Sequence, residues 1–280
     1  MHQPYKPMSL LMKIVFWFVA VNALAGAISL MLFPGSTAML FFWEIRPPLS
    51  AAMFGALYLG GAAVVSLVTY RGRWEPARYL VPVLVSAGVL ISLTTFLHLD
   101  RFTPGFKLFY WLVVYIIAPI LAIVFYIQHE RGGAVWEVVG EPVAPLTRIV
   151  AIILGAALIL LGILCLASPG LVVAVWPWAI APLMVRIFAS WFSAFGFGLL
   201  WFWWERDWSR LYHIPNLMIA AAMLDLLMVF IHRADLNSTG LNFWLFCFHL
   251  AAFGLIGAFM HWWQHRAASA RKWKPKPTQS

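Results

Sequence analysis

Acidic residues are scarce in this chain: ten Asp and Glu stand against 19 Lys and Arg in 280 residues. That weighs against an ATPase, a two-carboxylate glycosidase or the acidic array of a multi-cation transporter. Charge of either sign is also short, at 10% of residues, where soluble domains carry roughly 25%. Too few polar side chains remain to cover a water-facing surface. The two cysteines, Cys165 and Cys247, are too few for a disulfide framework. Both fall in apolar runs, where a thiol packs as a small apolar residue. Alternating strand patterns are missing, which argues against a membrane barrel. No Walker motif, dinucleotide fingerprint or nucleophile elbow is present, nor C-x-x-C-H or H-E-x-x-H.

What the chain has is apolar length. It is 63% hydrophobic, and several runs reach the ~20 residues that cross a bilayer as a helix. Eight spans are expected, at 10–33, 50–70, 79–99, 108–128, 147–168, 183–204, 214–232 and 242–263. The fold class is therefore all-α and polytopic, with the lipid bilayer as partner. The net charge of +9 does not point to nucleic acid, because the basic residues sit mainly between spans. With a cytoplasmic N-terminus, only Arg46, Arg101, Lys107, Arg186 and Arg233 fall on the outer side, as the positive-inside rule requires. Both termini are expected in the cytoplasm of a bacterial plasma (inner) membrane. The basic tail 266–280 would lie along the anionic inner leaflet. The first apolar run is too long for a cleaved signal, and it has a mid-chain counterpart, so it reads as a permanent helix. Asn237-Ser-Thr matches a glycosylation acceptor pattern, irrelevant in a bacterium.

The spans come as two copies of four, offset by about 135 residues, as from Trp43 to Trp178. Lys13 matches Arg148, Pro34-Gly35 matches Pro169-Gly170, and Trp43-x-Ile45-x-Pro47 matches Trp178-x-Ile180-x-Pro182. Gly61 matches Gly196, Arg71 matches Arg206, and, with a small slip, His98 matches His232. An even number of spans per copy makes both enter from the same side, as parallel repeats. The expected organisation is a first four-helix repeat at 1–130, a cytoplasmic linker at 131–146, a second repeat at 147–265 and the tail at 266–280. Ala51, Ala52, Gly55, Gly60 and Gly61 give the second span a small-residue packing face. The default reading of Trp43, Pro47, Trp178 and Pro182 is an interfacial anchor, because Trp favours the headgroup level. A re-entrant segment is the alternative.

The segment from Trp176-Pro-Trp through Pro182-Leu to Arg186, with Trp191 and then Glu205-Arg-Asp-Trp208, resembles a group of bacterial multi-pass membrane proteins with no assigned activity. The likeness covers the second copy; the first lacks the leading Trp and the Arg. It implies a polytopic bacterial membrane protein and carries no catalytic residue across.

Ionisable groups inside spans are functional candidates by default. Arg186, Asp225 and His249 stand out in the second copy. Arg186 shares a helical face with Ser190 and Ser193, and His249 shares one with Asn242. The first copy has Ala51, Ile91 or Ser92, and Tyr115 or Ile116 at the matching places, so all three charges are missing together. The functional reading is a small polar pocket that binds a solute at Arg186 or relays a proton through Asp225 and His249. The structural reading is an Arg186–Asp225 pair that fixes packing. His98 and His232 could face each other and ligate haem or a metal, but helix-end histidines are commonplace and no cofactor is expected. Two function classes stay open. One is a non-catalytic scaffold or accessory component beside other membrane subunits, favoured because no span is visibly broken at mid-membrane. The other is a small-solute or proton-coupled transport or binding protein. A membrane enzyme ranks third.

Overall fold

A computed structural model of the chain describes residues 5–237 and 240–272, with side chains through 270. Ser238, Thr239 and most of the basic tail lie outside the described residues, and with them the glycosylation pattern and the leaflet contact. Among the described residues the fold is helical, with isolated bridges in place of strands.

Eight helices are long and apolar enough to cross a membrane, which suggests an integral membrane protein. They are α1 (Leu10–Leu32), α2 (Pro48–Arg71), α3 (Trp74–Leu97), α4 (Phe106–Arg131), α5 (Pro145–Ala167), α6 (Pro182–Trp203), α7 (Trp208–Ile231) and α8 (Leu241–Ala270). Their ends follow local chemistry. Ser9 caps α1 by accepting from the Met12 N–H at 3.3 Å. Prolines open α2, α5 and α6, where a missing N–H costs nothing. Gly72 closes α2 at φ +62, a conformation that favours glycine, and returns its N–H to Val68. α3 and α7 start earlier than hydropathy suggests, because each is led by a short amphipathic turn, Trp74–Ala77 or Trp208–Leu211.

α2 and α6 are the most buried spans, and α8 is the least. α1 packs on α2, α5 on α6, α3 on α4 and α7 on α8. The centre is made by α3 against α6 and α2 against α7. Every pairing therefore has a counterpart about half a chain away. α5 buries one stripe, Thr147, Ala151, Gly155, Leu158, Gly162 and Cys165, at the 3–4 spacing of a helix face. Close approach is the reason for its glycines: a Cβ on Gly155 would sit 2.9 Å from the Gly196 carbonyl oxygen. The small face of α2 is divided among neighbours, with Gly55 against Met31, Gly60 against Leu217 and Gly61 under the Trp191 ring.

Matched bonds recur outside the spans. The Met8 N–H donates to the Gly72 carbonyl and Val143 to Arg206; Trp74 donates to Lys6 and Trp208 to Glu141. At the opposite end, Thr103 donates to Phe42 and Asn237 to Pro177.

One span departs from expectation. α4 is not a regular helix: Val113–Ile117 forms a π turn. Pro119 explains it. Proline has no N–H to offer the Tyr115 carbonyl four residues back, and the Ser92 hydroxyl donates to that carbonyl instead, at 3.2 Å. Gly88 admits the Pro119 ring; a Cβ there would overlap Pro119 Cγ. The expectation of unbroken spans thus fails at α4, for a reason written in Pro119.

Candidate functional site

The Trp motifs are not surface anchors. Trp43 and Trp178 are each 1% exposed. Trp43 packs in an aromatic cluster with Phe41, Phe102 and Trp111, and Trp178 against Trp176 and Phe246. Trp178 Nε1 donates to Ser50 Oγ at 2.8 Å, which ties the second motif to the start of α2. Pro47 precedes α2 and Pro182 opens α6, and there the indoles plug helix junctions.

Arg186, Asp225 and His249 are not brought together. Arg186 Nε donates to the Leu166 carbonyl at 3.0 Å, a free acceptor in the last turn of α5. Its Nη1 lies 2.7 Å from His98 Nε2. Guanidinium only donates, so His98 Nε2 accepts and the ring is neutral. Ser190 Oγ donates to the Arg186 carbonyl, and Ser193 is buried against Gly162. Asp225 is 5% exposed, with Oδ1 lacking a partner. His249 and Asn242 lie on the exposed face of α8. The expected Arg186–Asp225 pair is replaced by Arg186–His98, because His98 ends α3, which packs on α6. His98 and His232 do not meet in any described contact, and among the described residues no group of three or more His, Cys, Asp or Glu is placed to hold a metal ion.

The sequence reading missed a buried ionic cluster at the end where α1 begins and α8 finishes. Arg210 Nη1 lies 3.0 Å from Glu205 Oε2, Arg78 Nε lies 2.8 Å from Glu130 Oε1, and Arg78 Nη1 lies 3.6 Å from Glu205. Arg78, Glu205, Asp207 and Arg210 are all buried. These side chains strap down the 131–146 segment. Asp207 Oδ2 accepts the Val139 and Gly140 N–H groups, Glu75 accepts that of Val135, and Arg210 donates to the Glu137 carbonyl. Gln264 holds both the Ala144 N–H and the Pro142 carbonyl. Burial pushes the Asp207 carboxyl up, but hydrogen bonds from Ser209, Gly140 and Val139 outweigh it and hold the group below 3.8. The signal was in the short loops, where Glu75, Arg78, Glu205 and Arg210 carry opposite charges within single turns. Arg78 and Arg210 count there only toward the positive-inside excess, because loop charge is ordinarily solvated.

A cavity lies elsewhere again. It encloses about 390 Å³, walled by α1, α2, α3, α4, α6 and α7, within the range of small-molecule sites. It follows α3 from Tyr79 to Ile91, about 18 Å at 1.5 Å per residue. Its walls are mainly apolar. Polar groups punctuate them: Tyr110 donates to Asn22 Oδ1 at 2.6 Å, and the Tyr58 and Tyr115 hydroxyls bond each other. Two wall groups have no protein partner, the Tyr79 hydroxyl and Trp191 Nε1. Tyr79 is 4% exposed. The π turn of α4 supplies Val114 and Tyr115 to the wall, and π turns concentrate at functional sites. Tyr79, Trp191 and Tyr115 were legible only as apolar-face aromatics.

No family model, no curated protein and no solved structure matches this chain. The functional reading therefore rests on geometry.

Proposed function

We propose that this is a plasma-membrane binding protein of bacterial type that holds one elongated, largely apolar molecule bearing carbonyl or ether oxygens. The site is the cavity along α3. The observation that carries the reading is Tyr79, which lines that cavity and whose buried hydroxyl has no protein partner. Leaving such a group unpaired costs on the order of 1–3 kcal/mol. Trp191 Nε1, a donor only, adds the same demand for an acceptor. A length of about 18 Å suits an extended chain lying along the membrane normal.

The chain is read as two like-oriented four-span copies with both termini cytoplasmic. The paired helix contacts, the matched backbone bonds and the charge distribution support this. The lack of visibly broken spans in the sequence favours a scaffold or accessory component; the cavity moves the reading to binding, at a different place from the Arg186 region. Proton relay through Asp225 and His249 is not carried forward, since His249 lies on an exposed face.

Purification in mild detergent, followed by mass spectrometry of extracted small molecules, tests the reading. One apolar, oxygen-bearing species is expected near one per chain, and it should be lost in Ala87→Phe, which fills the cavity wall. Only bulk lipid in detergent proportion, unchanged in Ala87→Phe, would sink it.

A further inference from the structure

α2 and α6 begin alike but are finished differently. At the start of α2, the Leu49 N–H donates to Asp235 Oδ2 at 2.8 Å, and Ser50 Oγ accepts from Trp178 Nε1 at 2.8 Å. A carboxylate and a hydroxyl thus satisfy the helix end and the indole. The offset of 135 from Trp43 to Trp178 carries Leu49 to Met184 and Ser50 to Val185, and the offset of 134 from His98 to His232 carries Asp235 to Arg101; this correspondence rests on the two-copy reading proposed above. At α6 neither bond is made. Val185 has no hydroxyl, and Trp43 Nε1, on an indole 1% exposed, has no partner. Arg101 stands where the carboxylate would be, paired with Asp100 at 3.1 Å, both side chains being about 70% exposed. α6 has no side-chain cap, and among the described residues no hydrogen bond reaches the Leu183 or Met184 N–H. Between these groups lies a second cavity, of about 370 Å³, lined by Trp43, His98, Asp100, Arg101, Leu183 and Met184 among others.

We infer that this second cavity binds a small carboxylate anion, which sits at the α6 N-terminus as the Asp235 carboxylate sits at that of α2. Orphan N–H groups and the positive end of a long helix form an anion site. Trp43, whose Nε1 has no partner, lines the same cavity. The local charge agrees. Glu44 and Asp100 also line the cavity, but each is paired, with Arg46 at 2.5 Å and with Arg101 at 3.1 Å. Arg186, behind His98, and the helix end leave the balance positive. The twin site also sets the ligand class: a single carboxylate suffices there.

Fluorine NMR of trifluoroacetate, titrated onto the full chain in detergent, tests the assignment. Saturable line broadening is expected. Trp43→Phe should weaken it about tenfold, the usual effect of removing one hydrogen bond to a charged group. Leu183→Pro deletes one N–H in the first turn, where proline is tolerated, and gives a second reading should Trp43→Phe fold poorly. Asp100→Ala should tighten binding by removing a competing carboxylate. Absence of saturation, or wild-type affinity in both Trp43→Phe and Leu183→Pro, overturns the site. So does an Asp100→Ala variant that loses thermal stability as Asp235→Ala does, because Asp100 is then the occupant. Displacement by short-chain phosphatidylglycerol assigns the cavity to lipid phosphate and overturns the carboxylate. Asp235→Ala itself should lower the unfolding midpoint, and no change there counts against the register. The apolar ligand is read by mass on the same samples, so loss of either signal alone separates this inference from the proposed function.

Discussion

Arg186 Nη1 and His98 Nε2 lie 2.7 Å apart, across the junction of α6 and the end of α3. Burial first, then the Arg186 guanidinium, holds the imidazole below its ordinary 6.5; Arg101 adds to this and Asp100 opposes it. A lowered value in the folded state means that the unfolded chain binds the proton first. Stability from this contact is therefore complete above pH 6.5 and falls as pH drops through the folded value. Thermal midpoints measured across that window should decline in the wild type. His98→Gln keeps an acceptor for Arg186 and removes the titration, so its profile there should be flatter. An unchanged slope would mean that other groups govern the decline.

Breaking the buried cluster should be costly. Arg210→Met leaves the Glu205 and Asp207 carboxylates without their main cation, and removing one partner of a buried pair costs about 3–5 kcal/mol. Arg46→Ala, which breaks an exposed pair with Glu44, should cost under about 1 kcal/mol. Detergent unfolding curves of the two variants compare them directly. Asp207 adds an acid limb. Its carboxyl is held below 3.8, so its contribution is present above that pH and fades as pH falls further. The 131–146 segment should become sensitive to protease in Arg210→Met before the spans unfold.

Composition made the eight long apolar helices legible, because a run of about 20 apolar residues shows in the sequence whatever the fold. The W-x-I-x-P recurrence, at Trp43 and Trp178, marked the two helix junctions. Depth was not legible. Trp43 and Trp178 have the composition of a headgroup belt, yet both are buried, since neither side chain says which helix will cover it. The same limit applies to Arg186. Its span was correct, but its partner came from α3, in the other half of the chain, and no pattern local to α6 announces His98. Tyr79 gives no signal of its own, because an aromatic on an apolar face is ordinarily packed.

The π turn of α4 is open to a two-variant test. Ser92→Ala strands the Tyr115 carbonyl and should cost about 1 kcal/mol. Pro119→Ala restores a donor to that carbonyl, so the two changes should be non-additive: in the Pro119→Ala background the Ser92→Ala cost should disappear. Regularising α4 also rotates Val114 and Tyr115, which line the large cavity. Ligand content by mass should therefore fall in Pro119→Ala even where stability rises. Additive losses would show that Ser92 does not stand in for the missing N–H.

Tyr79→Phe separates a binding role from a packing role by the sign of its effect. The hydroxyl is buried and has no protein partner, so the ligand-free protein carries the cost of desolvating it. Deleting that oxygen alone should leave the stripped protein as stable or raise its stability by about 1 kcal/mol. The ligand-loaded protein should respond in the opposite direction, because the hydroxyl then has an acceptor. Loss of one hydrogen bond weakens retention about threefold to tenfold, and the midpoint gain on adding back the extracted ligand should shrink accordingly. Delipidated and reloaded samples of both chains, unfolded side by side, give the four midpoints needed. A hydroxyl that only packed would shift all of them together, and the cavity would then lose its claim to be a binding site.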